Sequence, residues 1–260
     1  HLDETDARIL MELDQLYKVT GISHATRLAF LGKYVSLIDL RDDLVLEYVT
    51  LLNMLGRYEE AKQMLDSRIF HPWEGGEGKV PAQYQYARVE MAKIALAEEK
   101  SQKAIALLEE CLEYPCHLGE GKLYGAQEND FYYFLGCAYD LQGDHDKACE
   151  CWEKAALGSQ EPAAAIYYND AKPEKIFYQG LALQKLGCEE EAHSRFYKLV
   201  NYGKQHIFEK QTMDYFAVSL PDLQIWDGDL DVKNRIHCLF MLALGYTGLG
   251  DSRRAEQYLH

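Results

Sequence analysis

Apolar and polar residues along this chain alternate in blocks of helical length, and short glycine-containing breaks separate the blocks. A Gly followed five residues later by Ala occurs in "GRYEEA", "GDHDKA", "GCEEEA" and "GDSRRA", which begin at Gly56, Gly143, Gly187 and Gly250. In each segment the Gly ends one helix. The acidic or polar residues after it begin a second helix, because they suit the positive end of its dipole. The pattern therefore predicts helix-turn-helix hairpins.

The hairpins recur with a period near 44 residues. The segment "EKSQKA" has the same pattern without the glycine, with Glu99 and Ala104 at the two places, so successive turns from Gly56 to Gly250 lie 43, 44, 44 and 63 residues apart. Upstream, "DARILMELDQLYKVTG" and "SHATRLAFLGKYVSLI" predict a further helical pair, with Ser23 as the N-cap of its second helix. A fixed period of this length indicates a repeat fold.

We therefore predict a single all-α domain over residues 1–260, a right-handed α-solenoid of about six helical hairpins with long loops between the repeats. The predicted repeats cover approximately residues 1–40, 41–80, 81–126, 127–170, 171–210 and 233–260, and a long insertion covers 201–235.

Small and aromatic residues recur at fixed places in the segment "YYFLGCAYDLQGDHDKACECWEKA". They are Leu135, Gly136, Tyr139, Gly143, Ala148, Trp152 and Ala155. This spacing resembles the tetratricopeptide repeat. We expect Gly136 and Ala148 to lie where the first and second helices of one hairpin, called A and B, cross closely. Tyr139 and Trp152 would fill the remaining space.

The chain departs from that family in the length of its repeats. The usual period is about 34 residues, and here three successive units are about ten residues longer. The extra residues fall between helix B and the next helix A, in stretches at roughly 70–82, 113–129, 158–172 and 201–235. Insertions at one place in each repeat emerge along one edge of a solenoid, so we expect these loops to lie close together.

A second resemblance covers nearly the whole chain. It rests on the blocks "FHPWEGGEGKV", "YPCHLGEGKLYGAQEND", "YYND", "FYQGLAL", "DYFAVSLPD" and "NRIHC". Together these resemble the C-terminal helical region of large bacterial proteins that carry a galactose-mutarotase-like β-sandwich of unknown function. The chain begins at His1 rather than Met and stops at His260 inside a helical pattern, from which we expect it to be a fragment. The resemblance implies that a domain acting on or sensing carbohydrate precedes the chain, and it leaves an upstream signal peptide open.

The repeated loops "HPWEGGEGKV" and "YPCHLGEGKL" look at first like phosphate-binding loops. A Walker A loop needs Gly, four residues, then Gly-Lys-Ser/Thr after a strand, and neither copy complies. We interpret them mainly as connectors, in which Pro72 and Pro115 stop helix B and Pro81 fits the first turn of the next helix. The alternative is that they present a rim of side chains to a partner. Its members are Trp73, Glu77, Lys79, Glu120 and Lys122.

The carboxylates of these loops raise the question of glycosidase chemistry, which needs two carboxyl groups facing each other across a sugar. The candidates are Glu74, Glu77, Glu120, Glu128 and Asp130. With 42 acidic residues in the chain, such candidates are expected by chance. We therefore predict no catalytic residue, and the histidines lack zinc-ligand spacing, so we expect neither a metal nor a cofactor.

The inner wall of a tetratricopeptide superhelix is made by the A helices, and its residues follow from the phase of the Gly/Ala pairs. One row runs through Leu46, Val89, Tyr133, Phe177 and Phe240. Adjacent places hold Asn53, Tyr86, Lys93, Asp140, Gln184 and His237. Aromatic rings with isolated polar groups can anchor an extended peptide or stack on a sugar. Alternatively, some of the rings pack under the long loops. A clamp for acidic chaperone tails is disfavoured, because Lys93 is the only basic member apart from His237.

Composition narrows the partners. The 27 Lys and Arg against 42 Asp and Glu give a net charge of −15, which disfavours DNA or RNA. No apolar run of about 18 residues could span a membrane. The seven cysteines indicate reduced core thiols and a cytoplasmic location. We predict a non-catalytic scaffold that binds a protein or peptide, or the β-sandwich domain of its own chain. The alternative is an accessory part of a carbohydrate-active enzyme.

Overall fold

The computed structural model describes residues 6–73, 75–164, 172–211 and 229–259, and within these ranges it contains helices and turns but no strand. The helices, numbered in chain order, are α1 (Ala7–Val19), α2 (His24–Leu31), α3 (Val35–Ile38), α4 (Asp42–Met54), α5 (Tyr58–Asp66), α6 (Lys79–Ala97), α7 (Ser101–Leu112), α8 (Asn129–Gln142), α9 (His145–Ala155), α10 (Pro173–Lys185), α11 (Glu189–His206), α12 (Leu230–Gly248) and α13 (Ser252–Leu259). Two 3-10 turns cover Gly32–Tyr34 and Cys116–Leu118. The predicted all-α class is confirmed.

The chain divides into two compact units. Unit 1 consists of residues 1–94 with the loop 113–122, and unit 2 consists of residues 95–112 with 123–260. Unit 1 therefore holds α1 to α5 and most of α6, while unit 2 holds α7 to α13. Within the units, α1 packs on α2, α4 on α5, α8 on α9, α10 on α11 and α12 on α13. These pairs are the predicted hairpins.

The turn glycines end the A helices as the sequence predicts. Gly56, Gly143, Gly187 and Gly250 have φ values of 75°, 86°, 77° and 74°. After each, the next amide donates to a carbonyl five residues back, as Arg57 N–H does to Leu52 O at 2.9 Å. This is the Schellman motif, which satisfies carbonyls that the end of a helix leaves open.

Glu99 takes the glycine place in the turn between α6 and α7, as predicted. Its φ is 58°, the single positive value for a non-glycine residue in the described ranges. The same pair of hydrogen bonds closes the turn, with Glu99 N–H to Leu96 O at 3.0 Å and Lys100 N–H to Ala95 O at 2.8 Å. The backbone shape therefore persists where the favoured residue is absent.

The small residues of the repeat lie at the predicted helix crossings. The alanines that follow each turn are buried, namely Ala61, Ala104, Ala148, Ala192 and Ala255. A Cβ added to Gly136 would lie 2.3 Å from Trp152 Nε1, and one added to Gly180 would lie 2.3 Å from Phe196 Cε1. A ring on helix B thus covers a bare glycine on helix A, because no larger residue fits between them.

Unit 1 contains a buried ion cluster. Arg27 Nη2 donates to Asp14 Oδ2 at 2.5 Å and to Glu47 Oε2 at 2.9 Å, and Asp14 and Arg27 are 0% and 3% exposed. The three side chains connect α1, α2 and α4.

Ser23 caps α2 by accepting from Thr26 N–H at 3.2 Å, which confirms that prediction. In contrast, α5 ends at Asp66, well before Pro72, so this proline does not terminate helix B.

Unit 2 uses buried amide side chains to hold the ends of its B helices. Each amide nitrogen donates to backbone carbonyls at or just beyond the C-terminus of a B helix, where such groups lack helical partners. The donors and acceptors are Asn129 to Ala155 O and Leu157 O, Gln179 to Leu157 O and Ser159 O, and Asn234 to His206 O. The contacts of Gln179 and Asn234 fix neighbouring hairpins to one another, and those of Asn129 close the hairpin of α8 and α9. The repeat pattern did not predict them.

All seven cysteines are free. Cys111, Cys151 and Cys238 are buried as predicted for core thiols, but Cys116 and Cys149 are exposed. Cys116 starts a 3-10 turn in the loop after α7, and Cys149 lies on the outward face of α9, so the prediction is wrong for these two. No helix within the described ranges is long and apolar enough to cross a membrane.

Candidate functional site

Three A helices of unit 2 stand side by side and carry aromatic rings at one repeat position. Helix α8 contacts α10, and α10 contacts α12. Tyr133, Phe177 and Phe240 hold the same place relative to the turn glycines that end these helices. We call these three residues the aromatic row. They form the unit 2 part of the predicted groove.

Two rings of the row, those of Tyr133 and Phe177, belong to a larger network. Tyr178 links them, since its ring centroid lies 5.4 Å from that of Tyr133, 5.6 Å from that of Phe177 and 5.3 Å from that of Phe134. Phe177 also contacts Phe196 of α11 at 5.9 Å. Tyr133 and Phe177 are half-buried in this network. Packing among the helices, rather than under the long loops, therefore holds these rings in place.

Phe134 and Tyr178 were not predicted. Each follows a row residue directly in sequence, so the helical phase alone does not assign it to the row. The sequence feature that could have indicated Phe134 and Tyr178 is the adjacency of aromatic residues, in the run "FYYF" at residues 131–134 and the pair "FY" at 177–178. Adjacent rings on neighbouring helices meet between those helices, which turns two short runs into one continuous layer.

Phe240 is the most open ring of the row, with 40% of its surface exposed. Two other apolar residues of α12, Val232 and Ile236, are 53% and 62% exposed. They precede Phe240 at intervals of four residues, so the three lie along one stripe of the helix. The row is thus rigid at α8 and α10 and open to solvent at α12.

Tyr133 and Cys137 are neighbouring titratable groups on α8. Burial raises the pKa of Tyr133, and the neighbouring Cys137 thiol raises it further. Burial likewise raises the pKa of Cys137. Both groups therefore remain protonated at neutral pH.

The predicted polar places of unit 2 have partners of their own. Asp140 Oδ1 lies 2.8 Å from His145 Nδ1, and the side chain of Asp140 is 38% exposed. His237 Nε2 lies 2.8 Å from the carbonyl oxygen of Ala163. Gln184 is partly exposed on α10. Polar groups therefore border the row at α8, α10 and α12.

The groove residues predicted in unit 1 behave differently. Asn53 is 1% exposed, and its amide donates to Gln83 O at 3.2 Å and to Gln83 Oε1 at 2.8 Å. Asn53 lies in the core, and its hydrogen bonds connect α4 to α6. Tyr86 is 43% exposed and packs edge-on against Tyr58, with centroids 6.2 Å apart. Lys93 donates to Glu90 at 2.6 Å. The row residues Leu46 and Val89 are buried.

The two Gly-Glu-Gly-Lys loops contact each other within unit 1. Phe70 N–H donates to His117 O at 2.7 Å, and Gly78 N–H donates to Glu120 Oε2 at 2.8 Å. Gly119 has a φ of 77°, and a Cβ there would lie 2.6 Å from Phe70 O. The loop before α6 and the loop after α7 thus form one structural element, which we call the loop pair.

The predicted rim side chains are distributed around this loop pair. Trp73 covers Gly76, where an added Cβ would lie 2.2 Å from Trp73 Cε2. Glu77 and Lys79 are half-buried, and Lys122 is exposed. The Glu120 carboxylate lies at the N-terminus of α6 and accepts from the amide of Gly78, which has no partner within the helix. Burial raises the pKa of Glu120, as does the nearby charge of Glu77, while the Gly78 amide lowers it.

Two of the candidate carboxylates form contacts inside the fold. Glu120 accepts from Gly78, and Asp130 forms an ion pair with Lys175. Glu74 lies outside the described residues. Within those ranges no group of three or more His, Cys, Asp or Glu side chains is arranged to hold a metal ion.

One hairpin of the chain matches a known family of repeats. A sequence model of the tetratricopeptide repeat matches residues 130–157, the hairpin of α8 and α9. Three solved structures are similar. The MamA RS-1 ArsTM double mutant has 18% identity and a TM-score of 0.44, with 78% of this chain and 96% of that one covered. MamA 41-end from Desulfovibrio magneticus RS-1 has 17% identity and a TM-score of 0.42, with 78% and 97% covered.

The third similar structure is a putative kinesin light chain from Podosopora anserina with nearly identical TPR-like repeats. It has 17% identity and a TM-score of 0.34, with 83% of this chain and 90% of that chain covered. The predicted link to proteins with a galactose-mutarotase-like β-sandwich stays a prediction. The matched hairpin resembles the tetratricopeptide repeat, and the same turn and the same small residues recur in other hairpins, so the chain is built from similar helical repeats.

Proposed function

We propose that the protein is a non-catalytic interaction scaffold and that the aromatic row of unit 2 binds an extended segment of a partner protein. The supporting observation is the position of Tyr133, Phe177 and Phe240 on three A helices that pack in sequence, with Phe240 40% exposed. A partner side chain placed against Phe240 would remove apolar surface from water, which is the main source of binding energy at such surfaces.

The spacing of the row suits an extended chain. Packed helices have axes about 8–10 Å apart, and an extended chain in the polyproline II conformation advances about 3.1 Å per residue with three residues per turn, so its side chains three apart share one face. Every third residue of such a chain would therefore meet the next ring. Because Tyr133 and Phe177 are already fixed by the ring network, little conformational entropy is lost when a partner binds.

Selection from a random peptide library displayed on phage, with the whole chain immobilised, tests this function. The affinity of a selected peptide is then measured by fluorescence anisotropy for the native chain, for Phe240→Ala and for the matched control Phe208→Ala. Phe208 is 86% exposed and lies in the turn after α11. Each chain is first checked for native helicity by circular dichroism.

We expect Phe240→Ala to weaken the selected peptide at least about tenfold, as for a central aromatic contact. Phe208→Ala should leave the affinity within about twofold. Equal effects of the two substitutions, or a selection that returns no binding peptide, would contradict the proposal.

The partner segment can belong to the same polypeptide. The second sequence resemblance predicts a β-sandwich domain upstream of His1, and we include this intramolecular partner in the proposal. Titration of the chain with that domain, expressed separately, should give saturable binding that Phe240→Ala weakens. Lack of association at high micromolar concentration would contradict binding of the chain's own β-sandwich domain. The proposal would then hold only for partners on other polypeptides.

The carbohydrate alternative from the sequence has less support, since Glu120 accepts from Gly78 and Asp130 pairs with Lys175. It predicts that Glu77→Gln or Glu120→Gln abolishes sugar turnover by the longer protein while helicity is unchanged. We expect no loss of turnover from either substitution.

A further inference from the structure

The charges around the aromatic row restrict the kind of segment it can take. This inference rests on the proposed function and concerns the chemistry of the partner. Helix α8 contains Asp130 and Asp140 and no Lys or Arg from Asn129 to Gln142. Asp140 lies on the same face as Tyr133, seven residues further along the helix, and its side chain is 38% exposed. Glu174 lies one turn before Phe177 on α10.

Both lysines of α10, the helix that carries Phe177, are already engaged. Lys175 forms an ion pair with Asp130, and its ammonium lies 4.9 Å from the ring centroid of Phe131. The Lys185 ammonium lies 5.4 Å from the ring centroid of Trp152. An acidic partner would therefore have to displace these internal contacts. A basic partner would meet Glu174 and the exposed part of Asp140, whose Oδ1 also lies 2.8 Å from His145 Nδ1.

The net charge of the whole molecule also favours a basic partner over an acidic one. The net charge of −15 attracts cationic segments and repels acidic ones before contact is made. At the row itself, Lys or Arg side chains could place their aliphatic stems on the rings and their charged ends near Asp140. The partner's apolar side chains would then lie between its basic ones.

We propose that the aromatic row binds an extended, positively charged segment in which apolar residues alternate with Lys or Arg. Asp140 and Glu174 select its charge. The rings of Tyr133, Phe177 and Phe240 receive its apolar side chains.

Two matched fluorescent peptides test this selection on the whole chain. The first is Gly-Lys-Leu-Gly-Lys-Phe-Gly-Lys-Leu-Gly, acetylated and amidated at its ends, and the second has Glu in place of each Lys. Binding is measured by anisotropy at 50 and at 300 mM sodium chloride. The variants are Asp140→Asn, Glu174→Gln and the control Glu153→Gln, which removes an exposed carboxylate from the B helix α9.

We expect the Lys peptide to bind at least about tenfold more tightly than the Glu peptide at low salt, and its affinity to fall as salt rises. Asp140→Asn and Glu174→Gln should each weaken the Lys peptide about threefold, whereas Glu153→Gln should have no effect. Equal affinities of the two peptides, tighter binding of the Glu peptide, or equal effects of all three substitutions would overturn the charge selection.

The results also distinguish a failure of the charge selection from a failure of the proposed scaffold function. If both peptides bind equally and Phe240→Ala weakens both, the row binds peptides but does not select their charge. If neither peptide binds while library selection succeeds, the charge selection fails and the scaffold function stands. If library selection fails as well, both are wrong.

Discussion

The loop pair of unit 1, interpreted from the sequence mainly as connectors with a partner-facing rim as the alternative, and the aromatic row of unit 2, predicted to line a groove, differ in how the structure uses them. In the loop pair, backbone groups and the Glu120 carboxylate contact one another, and Gly119 leaves no room for a side chain against Phe70. In the aromatic row, Phe240 remains 40% exposed beside fixed rings. The repeated Gly-Glu-Gly-Lys sequence does not give a repeated backbone shape, because φ is positive at the second glycine of the first copy, Gly78, and at the first glycine of the second copy, Gly119. The two copies serve one contact between loops, whereas the exposed ring of Phe240 supports the proposed binding surface.

Gly119→Ala should have the largest effect, because it opposes the close contact of the loop pair. The new Cβ would lie 2.6 Å from Phe70 O, and the φ of 77° is unfavourable for alanine. We expect a loss of about 3 kcal/mol in the free energy of unfolding, measured by urea denaturation. Gly121→Ala is the control, since a Cβ there has no neighbour within 4 Å. Similar stabilities of the two variants would mean that the loops do not pack closely.

Substitution of Glu120 should change the free energy of unfolding less than Gly119→Ala does. The size of the change depends on whether the new side chain keeps an acceptor oxygen and on whether it removes the charge. Glu120→Ala leaves Gly78 N–H without its acceptor and should cost about 1 kcal/mol. Glu120→Gln keeps an oxygen for Gly78 and removes a charge that burial and Glu77 disfavour. We therefore expect this variant to be at least as stable as the native chain at pH 7 in urea denaturation.

The pH dependence follows from the direction of the pKa shift. A pKa raised in the folded chain means that Glu120 binds its proton more tightly when folded. The native chain should therefore gain stability relative to Glu120→Gln as pH falls through the raised pKa, and lose that gain as pH rises through it. A difference that grows in the opposite direction would show that the charged form stabilises the loop pair.

Glu99→Gly tests whether the repeated turn is a matter of backbone shape. The φ of 58° at Glu99 is strained for any residue with a Cβ, and glycine occupies this place in the other hairpins. We expect Glu99→Gly to stabilise the chain by about 1 kcal/mol in urea denaturation. Glu99→Ala keeps the Cβ and removes the same carboxylate, so it should give no gain. Equal gains would assign the effect to charge instead of strain.

The sequence predicts the features that depend on neighbouring residues and on the repeat. Turn glycines, buried alanines and the glycine-like place of Glu99 all follow from local spacing. The covered Gly136 also follows, because Trp152 recurs at a fixed distance in the same hairpin. These features are sufficient to define the hairpins and the order of the helices.

Contacts between distant segments could not be predicted in this way. Asn53 was assigned to the groove from its helical phase, but its amide contacts Gln83 of the next A helix. The amide clamps of Asn129, Gln179 and Asn234 depend on where the preceding or paired B helix ends. The Glu120 contact with Gly78 joins residues 42 positions apart. Periodicity fixes the face of a helix, whereas these partners depend on how the helices pack.

Phe240→Ala should have the smallest effect on stability and so separates the aromatic row most clearly from the loop pair. Because the ring is 40% exposed, its removal should lower the free energy of unfolding by less than about 1 kcal/mol in urea denaturation. The same substitution should weaken peptide binding at least about tenfold. For Gly119→Ala the order is reversed, with a large loss of stability and unchanged affinity under conditions where the chain remains folded. If Phe240→Ala destabilises the chain as strongly as Gly119→Ala, the ring is a core residue and the row is not a binding surface.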